Sequence, residues 1–225
     1  LVIGDLHLPA EREDYLEFCR GLRKKYKTTE TVFIGDVLDH HAISFHQKHP
    51  ESDSAVAEYH RSMEKMKAWK KAFPNAKVCI GNHDERIHRL SSNAGIPAMY
   101  LKDYKDIFDT PNWEWDYEWV IDNVSYIHGT GASSGITPAF NSAKVRIQST
   151  VSGHVHSAGS ICWSVGPNGG KIFGFNVPNG VDKDHILMYY SRNFLKKPVN
   201  GAGVVIDGHP SVSYTHLTLP TNREV

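Results

Sequence analysis

Thr31-Val32-Phe33-Ile34-Gly35-Asp36-Val37-Leu38-Asp39 decides how this chain is read. Four apolar or β-branched residues form a short run with the signature of a buried strand. A glycine then ends the run and two carboxylates follow it. The same grammar recurs along the chain. Leu1-Val2-Ile3 leads into Gly4-Asp5-Leu6-His7, and Lys77-Val78-Cys79-Ile80 leads into Gly81-Asn82-His83-Asp84. Val124 to Ile127 leads into His128-Gly129, and Thr150-Val151-Ser152 leads into Gly153-His154-Val155-His156. Polar chemistry is thereby gathered at the carboxyl ends of strands, the edge where open α/β sheets bind ligands.

Between these blocks the periodicity changes. Arg12 to Lys25 carries Tyr15, Leu16, Phe18, Cys19 and Leu22 at helical spacing. Ser52 to Phe73 reads as a long, mostly polar helix with Val56, Tyr59, Met63 and Met66 on one stripe, stopped by Pro74-Asn75. The first half is therefore β-α-β-α-β. In the second half, Trp113 to Val120 alternates, with Trp113, Trp115, Tyr117 and Trp119 expected on one face as sheet packing; the intervening Glu114, Asp116 and Glu118 argue against a nucleic-acid backbone there. Ala139 to Gln148 is expected as a helix, and Ile161 to Val165, Lys171 to Phe175 and Val204 to Ile206 as further strands. The class is α/β with a mixed second half, as one domain over residues 1–211. Val212 to Val225, with Ser213-Tyr214-Thr215-His216, fits no element of such a fold and is set aside as a non-native or disordered tail.

Composition limits the alternatives. The chain has 225 residues, 40% hydrophobic and 22% charged, enough to bury a sizeable core. Lys plus Arg and Asp plus Glu are 25 each, so nothing global points to a polyanion or an acidic membrane surface. No run of about 18 apolar residues exists, so no membrane span is expected. Cys19, Cys79 and Cys162 are odd in number and scattered, which argues against a disulfide framework and for a reducing, cytoplasmic setting. No signal peptide is visible, and a chain opening on Leu1 directly in a strand points to a short missing N-terminal piece. Histidine is in excess at 14 residues.

That excess sits in the blocks. Residues two apart in a strand point the same way, so Asp5 with His7 and His154 with His156 can each reach one site together. Asp36 is placed to bridge two ions with its two oxygens, Asn82 offers an amide oxygen, and His128 adds an imidazole. Mixed nitrogen and oxygen donors without thiolate suit two divalent ions, Mn first, with Fe, Zn or Co as alternatives. Singly, each block is ordinary turn chemistry; jointly and in this order they point to a dinuclear metal centre.

D-x-H, G-D-x-x-D, G-N-H-D, H and G-H-x-H resemble, block for block, the calcineurin-like metallophosphoesterases, over about residues 1 to 210. The resemblance implies a two-sheet β-sandwich flanked by helices. It implies one ion on Asp5, His7, Asp36 and His156 and the other on Asp36, Asn82, His128 and His154. It further implies a metal-bridging hydroxide attacking phosphorus in line, with ions about 3.5–4 Å apart. His83 would protonate the leaving oxygen as general acid, held and kept protonated by Asp39.

One departure narrows the substrate. The Ser/Thr protein phosphatases of this superfamily carry Arg-Gly after the second Asp and Glu after G-N-H, whereas here His40-His41 follow Asp39 and Asp84 follows His83. That favours phosphodiester or nucleotide substrates over phosphoproteins. Arg86 and Arg89 are candidates for the missing positive charge, and His40 and His41 for substrate contact, with His46, His49 and His60 at the surface or behind the site. Asp84 reads as structural. Gly129 to Gly135 reads as a loop bordering the site. The compact chain resembles small bacterial or phage phosphoesterases more than large DNA-repair exonucleases. Two rivals stay open: a nuclease acting on DNA or RNA ends, and a catalytically inactive metal-binding scaffold, against which every ligand position is intact.

Overall fold

In chain order the elements are β1 (Val2–Ile3), α1 (Tyr15–Tyr26), β2 (Val32–Phe33), α2 (Ala55–Ala72), β3 (Ala76–Cys79), α3 (Arg86–Asn93), α4 (Tyr104–Ile107), β4 (Trp113–Asp116), β5 (Glu118–Ile121) and β6 (Val124–Ile127). There follow α5 (Pro138–Arg146), β7 (Thr150–Ser152), β8 (Ser160–Val165), β9 (Lys171–Asn176), β10 (Gly201–Ile206) and β11 (His209–Tyr214). This computed structural model describes residues 1–131 and 135–215. They form a six-stranded sheet in the order β11-β10-β1-β2-β3-β4 and a five-stranded sheet in the order β5-β6-β7-β9-β8. Helices flank the pair, which is the expected two-sheet architecture.

Period-two alternation in three short strands builds two cores at once. Ile3, Phe33 and Val78 face away from the second sheet and pack with Tyr15, Cys19 and Leu22 of α1 and Met66 and Trp69 of α2. Their neighbours Val2, Val32 and Cys79 face the other way and meet Val124, Tyr126, Val151, Phe173 and Phe175 between the sheets. β1 to β4 run parallel and β6, β7 and β9 run parallel. The carboxyl ends of β1, β2, β3, β6 and β7 therefore open at one edge of the sandwich.

Gly35 is what lets the sheets approach there. Its φ is +107°, and a Cβ would lie 2.5 Å from His128 Nδ1 and 2.7 Å from the Cys79 carbonyl. Only glycine takes that conformation at that separation.

Two expectations are corrected. The aromatic stripe is not one strand: β4 pairs with β3 in the first sheet and β5 with β6 in the second, and the chain changes sheets at Tyr117. Trp113 stacks on Phe33 at 4.4 Å and Trp115 on Phe108 at 4.6 Å, while Trp119 packs between the sheets. These rings are packing, but in two cores. The boundary drawn at residue 211 falls inside β11, where Val212, Ser213 and Tyr214 pair with Gly203, Ala202 and Gly201. Residues 216–225 of the expected tail, and 132–134 of the Gly/Ser-rich loop, lie outside the described residues. No helix among the described residues is long and apolar enough to cross a membrane.

Candidate metal centre

Asp36 follows β2 with a left-handed φ of 48°, and His7 and His154 share that conformation at 51° and 65°. Left-handed backbone at non-glycine residues is strained and persists where surrounding structure holds it, commonly at functional sites. The turn aims the Asp36 carboxylate into the centre of the opened edge. Its Oδ1 accepts the His83 backbone N–H at 2.8 Å, and its Oδ2 lies 3.5 Å from His7 Nε2 and 3.2 Å from His128 Nε2.

Two donor groups share this carboxylate. On one side, His156 Nε2 is 3.1 Å from Asp5 Oδ2 and 3.0 Å from His7 Nε2. On the other, His128 Nε2 is 3.2 Å from His154 Nδ1 and 3.2 Å from Asn82 Oδ1. Within Asp5, His7, Asp36 and His156, and again within Asp36, His128 and His154, the donor atoms all lie within 4.8 Å of one another.

The imidazoles are fixed from behind. His128 Nδ1 donates to the Ile34 carbonyl at 2.8 Å; a carbonyl only accepts, so Nε2 is the nitrogen turned to the centre, where a metal would displace its proton. His7 Nδ1 donates to Asp39 Oδ1 at 2.7 Å and leaves Nε2 free. A carboxylate or carbonyl behind a histidine sets the tautomer that a metal needs.

Electrostatics favour a cation here. Burial disfavours the charged carboxylates of Asp5 and Asp36, yet the histidines around them hold both below the usual carboxylate range, His156 and His128 acting on Asp5, His128 and His83 on Asp36. The attraction is mutual: burial opposes the His128 cation, but Asp36 and Asp5 pull its pKa up to about 10. Asp5 Oδ1 is buried without a hydrogen-bond partner among the described residues. Facing imidazole nitrogens, carboxylates and an amide oxygen with an unmet acceptor form a donor set that fits divalent ions.

His83 stands beside this centre. Its Nδ1 is 3.0 Å from Asp39 Oδ1 and 2.7 Å from the Asp39 carbonyl. Burial lowers its proton affinity, but Asp36 and Asp39 outweigh burial and raise it. Asp39 thus serves two histidines, His7 and His83; the pairing with His7 was not foreseen from sequence. The Arg86 guanidinium donates to the Asp39 carbonyl at 2.7 Å and the His40 carbonyl at 3.0 Å, and its Nη2 lies 3.0 Å from His83 Nε2. Guanidinium has no lone pair, so this last contact is a hydrogen bond only to the neutral ring, the form left once Nε2 has given up its proton.

His40 and His41, expected as candidates for substrate contact, are buried, at 8% and 1% exposure. His40 Nδ1 donates to the His83 carbonyl at 2.9 Å, and the His41 backbone N–H donates to Glu58 Oε1 at 2.7 Å. Neither they nor Arg86 line the cavity over the centre; they brace Asp39 and His83 from behind.

Asp84 ties two of the blocks together. Its Oδ1 accepts the N–H groups of Val37 and Leu38 and its Oδ2 that of Gly81, all buried. Asp84→Ala strands three buried donors and is expected to cost about 3–5 kcal/mol, with Asp84→Asn costing less. Thermal denaturation should show the alanine variant melting roughly 6–20 °C lower.

The centre opens into a cavity of about 920 Å³. Asp36, Asn82, His83, His154 and His156 form its floor, and residues 183–198 form one wall. Sequence reading missed that wall, which is irregular apart from one 3₁₀ segment over Ile186–Ser191. Its interleaving of Tyr189, Tyr190 and Phe194 with Arg192, Lys196 and Lys197 was the available signal.

No curated protein matches this chain. Among solved structures, the Pseudomonas putida nuclease MPE is 18% identical, with a TM-score of 0.32. The match covers 69% of this chain and 59% of that one. The sequence profile of the calcineurin-like phosphoesterases matches residues 1–209, which takes in all five blocks. The chain therefore belongs to the calcineurin-like phosphoesterase family.

Proposed function

We propose that this chain is a phosphoester hydrolase dependent on two divalent ions, acting on phosphodiester or nucleotide-type substrates. One observation carries the reading: two donor groups meet on one carboxylate, Asp36, with His83 beside them on the cavity floor. Asp5, His7, Asp36 and His156 would hold one ion, and Asp36, Asn82, His128 and His154 the other. Mn fits this donor set, as do Fe, Zn and Co. Such a pair supplies Lewis acidity toward the phosphoryl oxygens and a nucleophilic hydroxide at neutral pH.

The chain's own residues do the rest. A water oxygen joins phosphorus as the opposite phosphorus–oxygen ester bond breaks. The departing oxygen takes the proton from Nε2 of His83, a residue of the cavity floor. Asp39 fixes the ring through Nδ1 and favours its protonated form beforehand. Arg86 accepts the ring's neutral form afterwards, by donating to the Nε2 lone pair. The absence of an arginine after Asp39 leaves the floor without the clamp expected for phosphoproteins. Three free cysteines fit a cytoplasmic setting.

A panel with Mn²⁺ tests this: nitrophenyl phosphate, bis-nitrophenyl phosphate, cyclic nucleotides and single-stranded DNA. The diesters should turn over faster than the monoester, with activity lost to a chelator and restored by Mn²⁺. Monoester preference would overturn the substrate class. Bound Mn²⁺ without turnover of any ester would favour the scaffold.

A further inference from the structure

The wall over the site combines an excess of positive charge with aromatic rings that line the cavity. Residues 183–198 carry Lys183, Arg192, Lys196 and Lys197 against Asp184 alone, in a chain whose opposite charges balance at 25 each. Lys183 is paired with Asp184 at 2.6 Å, so the outward excess lies at Arg192, Lys196 and Lys197, all exposed. Aromatic rings run from the floor up this wall. His46 stacks on Tyr190 with centroids 5.1 Å apart and planes 13° apart, and Tyr190 meets the Phe194 ring edge-on at 6.2 Å. Phe194 is 57% exposed although it lines the cavity. Phe194 thus offers an accessible ring face within the cavity lining, beside the exposed Lys196 and Lys197.

We propose that this wall selects a single-stranded nucleic-acid end. The base flanking the scissile phosphodiester stacks on Phe194, and Lys196 and Lys197 pair with phosphates farther along the strand. The inference rests on the phosphoesterase reading above and deepens it. Base faces are free for such stacking only in single strands, and every base has one, so the recognition is sequence-tolerant. A duplex would need a longer cationic track than one short segment of a neutral chain. A phosphopeptide would call for a free arginine fork, but Arg192 lies over the Tyr189 ring at 3.7 Å and donates to its carbonyl at 3.0 Å. The cavity volume of about 920 Å³ sits at the upper end of the range of about 300–1,000 Å³ for small-molecule sites. Lys196 and Lys197, both exposed, stand in its lining.

The test compares a short single-stranded oligonucleotide with bis-nitrophenyl phosphate, which has neither a base nor a second phosphate. Relative to bis-nitrophenyl phosphate, Phe194→Ala should lower kcat/KM for the oligonucleotide about tenfold or more, within the range for loss of one base–aromatic stack. Phe194→Trp should restore it. Removing both lysines should flatten the salt dependence of oligonucleotide binding, changing the slope of log K against log salt by roughly 1.4. Equal losses on both substrates, an unchanged salt slope, or faster turnover of a phosphopeptide would overturn the wall's assignment. If the wild type cleaves neither ester, the phosphoesterase reading falls. Fluorescence anisotropy with the labelled oligonucleotide then still decides the wall, since unchanged affinity in the variants refutes it.

Discussion

His83→Ala lowers kcat on a phosphodiester with an alkoxide leaving group by about 10²–10⁴-fold, the range for loss of a positioned general acid. On bis-nitrophenyl phosphate the loss is much smaller, because nitrophenolate leaves without needing a proton. That contrast is the decisive measurement. A residue that only supported the fold would depress both substrates alike, and equal losses would remove His83 from the acid role. Mn²⁺ binding should survive in this variant, since the His83 backbone N–H, not its ring, bonds Asp36. Asp39→Asn gives a different signature. Its carboxylate backs both His83 and His7, so kcat and metal affinity should fall together, the latter by about 10–100-fold as for other residues behind a ligand.

The parts of this site that were legible in sequence are those where local pattern and chemistry coincide. A short apolar run, a glycine and a polar residue together specify a strand, its end and a side chain at that end, without any tertiary information. Asp5, Asp36, Asn82, His128 and His154 could be placed for that reason. The errors lie where tertiary contacts override the local signal. Alternation through Trp113 to Val120 continues unbroken across Tyr117, and nothing in a period of two says which sheet a strand joins. His40 and His41 follow a ligand-bearing turn, so local order suggests substrate contact; Glu58 from α2 and Arg86 from α3 hold them in the interior instead. Val212 to Tyr214 join the first sheet by backbone pairing with β10, which needs no strong side-chain pattern. The wall over residues 183–198 has no period at all, and its role follows only from where the chain folds back over the floor.

The second large effect separates a shared carboxylate from an ordinary ligand. Asp36→Asn keeps the shape of the side chain and the acceptor for the His83 N–H, but removes the charge common to both donor groups. It should abolish turnover, and it should remove both ions from Mn²⁺ titrations monitored by calorimetry. Asp5→Asn removes a donor from one group only, keeps an acceptor for the His154 backbone N–H, and should leave the site of His128 and His154 able to bind. Thermal stability offers a readout independent of activity. A ligand at a hundred times its Kd adds about 2.7 kcal/mol, which for a chain of this size is about 5–11 °C. Wild type should gain that much on adding Mn²⁺, Asp5→Asn part of it, and Asp36→Asn almost none. The ordering matters more than the sizes. Each carboxylate is buried and held ionised by neighbouring histidines, so a general cost of removing buried charge predicts similar losses at the two positions. Only a carboxylate shared between two ions predicts that one substitution costs two sites while the other costs one. Equal loss in the two variants would return Asp36 to a single group and reduce the centre to one ion.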